Sequence, residues 1–351
     1  RIETKDCLGR TDRYQVQLEM GVYHMHINEE QIFAVKGTED FESLALAMYR
    51  FHYENNPVYQ AFSKSLKRDP GNVNSLERIP FLPVEFFKEH RIYAATGDPE
   101  IVFTSTGTAG MGTSHHYVAS INLYIESFSR SFRLFYGEPS QYCILGLLPS
   151  YLERTGSSLV YMVDQLIQLS RHTDSCFFLY NHQDIFEILK ELEQKNQPAL
   201  LLGVTFALID FAEQYPIKLR NTIVMETGGM KGRRKELIRN EVHEILCRQF
   251  SLETVHSEYG MTELLSQAYS RGRGVFSTPP WMRIFIRDPY DPLHLLEPGK
   301  TGGLNIIDLA NFWSCPFIAT GDLGLLHPDG SFEVFGRMDQ AEIRGCSLMV
   351  L

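Results

Sequence analysis

Several features that mark common protein classes are missing from this chain of 351 residues. Its six cysteines (Cys7, Cys143, Cys176, Cys247, Cys315 and Cys346) are scattered and form no Cys-x-x-Cys pair. That argues against zinc-binding spacings and a disulfide framework and fits a reduced, cytoplasmic setting. Basic blocks are absent too: 33 Lys and Arg face 43 Asp and Glu, a formal net charge of −10, so nucleic acid is a poor partner. The most apolar stretch, Ala199 to Phe211, is broken by Gly203, Thr205 and Asp210. It falls short of the ~20 residues a transmembrane helix needs, so no membrane span is expected. No signal peptide, internal repeat or low-complexity tract is visible, and the first residue is Arg, which suggests a start inside a longer chain or after processing. What remains is an ordinary globular composition, 44% hydrophobic and 22% charged, long enough for one large domain with a lobe or extension.

One further absence lies in the most distinctive stretch, Phe103-Thr104-Ser105-Thr106-Gly107-Thr108-Ala109-Gly110-Met111-Gly112-Thr113-Ser114-His115-His116. It follows the apolar run Ile101-Val102-Phe103 and precedes a helical segment. Small hydroxyl and glycine residues let backbone N–H groups crowd around an anion. Gly107 and Gly112 have the spacing of a Walker loop and Ser114 its hydroxyl, but Thr113 stands where the lysine belongs. A standard P-loop nucleotidase is therefore a poor fit, and the loop read alone is equally a plain surface turn.

Residues 1–30 are polar and aperiodic and read as an N-terminal arm. Asp40 is placed to cap a helix carrying Phe41, Leu44, Ala45, Met48 and Phe51, and a second helix covers Val58 to Leu66. Ile79 to Pro83 is extended, with Pro83 opening a helix over Val84 to Glu89. Ala119 to Phe135 is helical, with Ile121, Tyr124, Ile125, Phe128 and Phe132 as its apolar stripe. Strands then alternate with helices: strands at Tyr142–Leu148, Cys176–Tyr180, Ala199–Thr205, Thr222–Met225 and Leu252–His256, and helices at Ser157–Ser170, Asp184–Gln194, Phe206–Gln214 and Lys231–Phe250. The last helix turns Leu237, Ile238, Val242, Ile245 and Leu246 inward. Near-continuous apolar strands alternating with amphipathic helices predict an α/β fold with mainly parallel sheets flanked by helices. Ligands gather at the carboxyl ends of such strands. From Trp281 onward, short strands separated by Pro, Gly and Asp turns, with Asp329-Gly330 as a hairpin turn, predict a small C-terminal β lobe.

Five blocks occur in one order. They are Ser105-Thr106-Gly107-Thr108-Ala109-Gly110, Glu226-Thr227-Gly228-Gly229, Tyr259-Gly260-Met261-Thr262-Glu263, Ala319-Thr320-Gly321-Asp322 and Gly336-Arg337-Met338-Asp339. Their order resembles the adenylate-forming superfamily of acyl-CoA synthetases, peptide-synthetase adenylation domains and luciferases, over residues 31 to 346. Ser114-His115, Thr227-Gly228-Gly229-Met230-Lys231-Gly232-Arg233 and Arg344-Gly345-Cys346 are most like LuxE-type acyl-protein synthetases of the bacterial fatty-acid reductase complex. Phenylacetate-CoA ligases share part of the pattern. Ala109 and the missing lysine depart from the superfamily, and His115, or His116 beside it, is the candidate to take over part of the lysine's role.

The resemblance implies a large adenylation domain over 31–335, with the α/β core to about 275 and the β lobe at 276–335. A short segment, 336–351, takes the place of most of a mobile C-terminal domain. It also implies ATP and Mg²⁺. Ser105, Thr106, Gly107, Thr108 and Gly110 would hold the β- and γ-phosphates, Thr262 the α-phosphate, and Glu263 the metal. Tyr259, with Gly228 and Gly229, would face adenine, and Asp322 and Arg337 the ribose. Phe206, Ser266 and Gln267 would border the acid pocket. Cys346, with Arg344 to favour its thiolate, would accept the acyl group. The expected activity is fatty-acid activation as acyl-AMP followed by transfer to Cys346, feeding a partner acyl-CoA reductase or acyl carrier. Two alternatives stay open: an acyl- or aryl-CoA ligase of phenylacetate type, and a silent nucleotide-binding protein.

Overall fold

The computed structural model describes residues 28–105, 112–149, 155–228 and 237–338. Their helices are α1 (Glu29–Phe33), α2 (Thr38–Asn55), α3 (Pro57–Ser65), α4 (Phe86–Glu89), α5 (Ile121–Tyr136), α6 (Ser158–Ser170), α7 (His182–Gln194), α8 (Thr205–Gln214) and α9 (Arg239–Phe250). The strands are β1 (Leu82–Pro83), β2 (Ile101–Thr104), β3 (His115–Val118), β4 (Cys143–Leu147), β5 (Cys176–Phe178), β6 (Ala199–Val204), β7 (Thr222–Thr227), β8 (His256–Tyr259), β9 (Ala268–Ser270), β10 (Val275–Phe276), β11 (Met282–Arg287), β12 (Leu295–Leu296), β13 (Thr301–Asp308), β14 (Phe317–Leu326) and β15 (Phe332–Arg337).

Every residue of β4 and β6 is buried. A strand buried on both faces must be covered on both, which is the condition of a parallel sheet wrapped by helices. The sheet order is β5-β4-β6-β7-β8-β9, parallel except for β9. Gly203, next to last in β6, lets α8 pack close: a Cβ at this position would sit 2.8 Å from Leu208 Cγ. On α5, Phe128 is fully buried and meets Tyr124 edge-on at 5.0 Å. Truncating such a ring to Ala costs about 3–5 kcal/mol.

The second sheet runs β10-β15-β14-β13-β11-β12, with β1 added in parallel to β14. The C-terminal β region expected from the turn pattern is therefore present, but it recruits the extended 82–83 segment from near the start of the chain. A buried network joins the layers: Asp308 accepts from the backbone N–H of Leu265 and Ser266 at 2.9 Å each and from the Ser266 hydroxyl at 2.6 Å. Trp281 Nε1 donates to Ser127 on α5 and to Ser266.

Local readings differ from the structure in five places. Pro83 lies in β1, and α4 begins at Phe86 rather than Val84. Gly37, not Asp40, caps α2, and Asp40 accepts the Lys36 N–H at 3.2 Å from within the first turn. Ile238 is exposed and extended, so α9 begins at Arg239 rather than continuing from Lys231. The strand expected at 252–256 begins only at His256, because Ser251 turns left-handed at φ 54° and Leu252 N–H closes back on Cys247. Strand β3 escaped notice because His-His-Tyr-Val carries little apolar signal of its own.

Candidate active site

Parallel strands deliver their carboxyl ends to one side of the sheet, so β7 and β8 end next to each other at Thr227 and Tyr259. Tyr259 is wedged by Phe276 and Phe332, with ring centroids at 6.0 and 5.7 Å. That packing aims its hydroxyl at Asp322 Oδ2, to which it donates at 2.8 Å. Asp322 stands opposite Arg337 across β14 and β15, with Arg337 Nε 3.9 Å from Oδ1. Gly321 makes room for this: a Cβ there would lie 2.9 Å from the Arg337 guanidinium.

The glycine-rich loop springs from the β2–β3 hairpin, where Thr104 pairs with His115. Ser105 closes its neck, donating its N–H to the Ser114 carbonyl at 3.1 Å and accepting the Ser114 N–H at 3.0 Å. Thr106, Gly107, Thr108 and Gly110 lie outside the described residues, as do Gly229 and Cys346. The Ser114 hydroxyl reaches the Glu263 carboxylate. Glu263 is 5% exposed, and burial raises its pKa; the Ser114 hydrogen bond and the charges of Arg337 and Lys88 offset this only in part. A buried carboxylate in that state favours a nearby cation.

Alternation along β3 turns His116 inward and leaves His115 on the half-buried face. His115 stacks on Tyr117 at 6.4 Å, and Tyr117 lies under Arg91. The ring that touches the candidate site is His116: Nδ1 is 2.7 Å from the Thr262 carbonyl and Nε2 2.8 Å from Asn311 Oδ1. Asn311 donates to the Glu263 carbonyl at 2.7 Å and to the Cys315 carbonyl at 2.9 Å. Burial lowers the His116 pKa to about 4, and the hydrogen bonds to Thr262 and Asn311 offset this only in part. Thr262 and Glu263 thus sit on a buried His–Asn prop. No motif pointed to Asn311, and His116 was visible only as the neighbour of His115.

Two more carboxylates lie beneath the Thr227-Gly228 turn. Glu226 accepts from the Thr205 hydroxyl at 3.0 Å and faces Arg239 Nε at 3.4 Å and His243 Nε2 at 3.7 Å. Burial raises its pKa, but His243 and Arg239 outweigh that and the net shift is downward. Thr205 Oγ1 also lies 3.1 Å from the Gly228 carbonyl, which fixes that turn. Glu258 accepts the Thr227 hydroxyl, and burial pushes its pKa up to about 7. Of the expected acid-pocket residues, Phe206, Ser266 and Gln267 are all buried, and Ser266 is committed to the Asp308 network. Gln267 Oε1 has no hydrogen-bond partner among the described residues.

Among the described residues no group of three His, Cys, Asp or Glu side chains could hold a metal ion. A single carboxylate at Glu263 fits Mg²⁺, which is commonly held by one or two carboxylates plus substrate phosphates. Cys143 and Cys315 are buried with thiols pushed up to about 12, too high for nucleophiles. Among the described residues no helix is long and apolar enough to cross a membrane.

A parallel sheet, a β lobe and a strand-end site of this kind define the fold of the adenylate-forming ligases. A 2-hydroxyisobutyryl-CoA ligase solved with 2-HIB-AMP superposes with TM-score 0.62 at 14% identity, covering 86% of this chain and 68% of that one. ATP-bound MatB from Rhodopseudomonas palustris superposes with TM-score 0.53 at 16% identity, over 70% of this chain and 50% of that one. Within that class, this chain belongs to the LuxE acyl-protein synthetase family, whose model matches residues 35–351. A Vibrio harveyi relative, named long-chain-fatty-acid–luciferin-component ligase, is 25% identical over 332 residues, 87% of this chain and 85% of the relative.

Proposed function

We propose that this protein activates a long-chain fatty acid with ATP and passes the acyl group to its own Cys346. In the first step a carboxylate oxygen attacks the α-phosphorus, the bond to the β-phosphate oxygen breaks, and acyl-AMP and pyrophosphate form. Backbone amides of 105–110 receive the β- and γ-phosphates and the Thr262 hydroxyl the α-phosphate, where charge builds in the transition state. Bound Mg²⁺ supplies neutralising charge at Glu263. Tyr259 and the Gly228-Gly229 backbone flank adenine, and Asp322 accepts from the ribose hydroxyls with Arg337 beside it. In the second step the Cys346 thiolate attacks the acyl carbonyl and AMP leaves, giving a thioester that a partner acyl-CoA reductase or acyl carrier consumes. A cytoplasmic setting suits a free thiolate of this kind.

The observation that carries this reading is a chain of interactions. It runs from the loop neck at Ser105 and Ser114 to Glu263, which feels the charge of Arg337, and Arg337 pairs with Asp322, which accepts from Tyr259. The test is incubation with MgATP and labelled myristate. Protein should retain a hydroxylamine-labile label, and Cys346→Ser should abolish that label while acyl-AMP still forms. Equal labelling of Cys346→Ser, or CoA thioester formation with no protein-bound acyl group, would sink the transfer step.

A further inference from the structure

Binding of a triphosphate leaves a charge deficit that the glycine-rich loop does not fill, because Thr113 occupies the lysine position. The fold brings a cation to the same place from elsewhere. Lys88 lies on α4, directly after the segment in which Leu82 and Pro83 pair with Ile318 and Ala319 and Val84 N–H donates to the Ala319 carbonyl at 3.0 Å. The strand that carries Asp322 therefore fixes the start of α4. On its other side Phe87 meets the His116 ring edge-on at 6.0 Å, which sets the rotation of α4 on the β3 hairpin.

These two anchors place Lys88 at the loop's end. A Cβ built on Gly112 would lie 3.9 Å from Lys88 Cβ. Lys88 also lines a cavity of about 540 Å³ together with Thr320, Gly321 and Arg337, the stretch of β14 that leads into Asp322 and the arginine ion-paired with it. Its positive charge acts on the Glu263 carboxylate alongside that of Arg337. The side chain is half-buried, and among the described residues its ammonium group has no hydrogen-bonding or ion-pairing partner within 4 Å. A part-buried ammonium beside a phosphate-type loop and a candidate metal carboxylate suits anionic oxygens of a bound ligand, as phosphate-binding lysines do.

We propose that Lys88 is a substrate-binding residue that supplies, from a different element, the charge the loop lacks, by contacting the β- or γ-phosphate of ATP. This rests on the adenylation reading above and names a residue that reading did not include. Equilibrium binding of MgATP and of AMP to full-length wild type, Lys88→Met and Lys88→Arg tests it, with thermal melts to verify folding. Lys88→Met should weaken MgATP binding about 10- to 100-fold, as expected for one lost charge-assisted contact. AMP, which lacks both outer phosphates, should bind all three proteins alike, and Lys88→Arg should recover most of the MgATP affinity. Unchanged MgATP affinity in Lys88→Met, or a parallel loss for AMP, overturns the assignment. The adenylation reading fails separately. Wild type that binds MgATP but shows no carboxylate-dependent pyrophosphate exchange sinks that reading and leaves the Lys88 contact standing, whereas wild type that binds no ATP overturns both.

Discussion

Neighbouring carboxylates in this site are held in different protonation regimes by what surrounds them. Glu226 has two basic neighbours and stays ionised, whereas Glu258, fully desolvated and near the Glu226 charge, is pushed up to about 7. A carboxyl raised in the fold favours the folded state while it is protonated. That contribution is complete below the unfolded value near 4.5 and is lost as pH rises through about 7. Wild type should therefore lose on the order of 3 kcal/mol relative to Glu258→Gln between those two pH values. Denaturant melts of the two proteins at pH 4.5 and pH 7.5 would read this directly, and a constant difference between them would contradict it. Glu263 follows the same logic: burial disfavours its bare charge, which the divalent ion of the proposed reaction would restore.

Elements carry the information that no short motif held. The turns after β7 and β8 were legible because apolar strands followed by Gly, Thr and Glu are local features; the roles of Tyr259, Glu263 and Asp322 came from the resemblance that the order of the five blocks carries. The His116–Asn311 contact spans 195 residues and the His116–Thr262 contact 146, so neither leaves a periodic trace. Lys88 was hidden for the same reason, since its place depends on β1 joining β14 across the chain. Conversely, Ile238 fitted a helical stripe but lies exposed at the cap, where sequence periodicity says nothing about where a helix starts. The prop under Thr262–Glu263 makes a prediction at this scale. Asn311→Leu leaves the Glu263 and Cys315 carbonyls and His116 Nε2 without their partner in a buried setting. It should cost about 2–5 kcal/mol in urea melts and lower turnover more than ATP affinity, because the glycine-rich loop proposed to hold the phosphates is untouched. A stable variant with normal turnover would show that the turn holds itself.

At the scale of the whole molecule, two sheets of different origin meet where the candidate site lies. The parallel sheet contributes Gly228, Tyr259 and the approach to Glu263, and the β lobe contributes Asp322 and Arg337. The buried Asp308 network, bonded to Ser266 and linked through Trp281 to Ser127, fastens one to the other. The alternation of apolar strands with amphipathic helices announced the α/β class, and the Pro, Gly and Asp turns the final third, but the seam between sheets could only be found from contacts far apart in sequence. The central claim is that this seam is an adenylation centre organised around Glu263. ATP–pyrophosphate exchange with a long-chain fatty acid tests it most directly. Wild type should exchange only when the acid is present, and Glu263→Gln should reduce the rate on the order of 100-fold with its fold intact. Exchange that needs no acid, or that survives Glu263→Gln undiminished, would contradict the account.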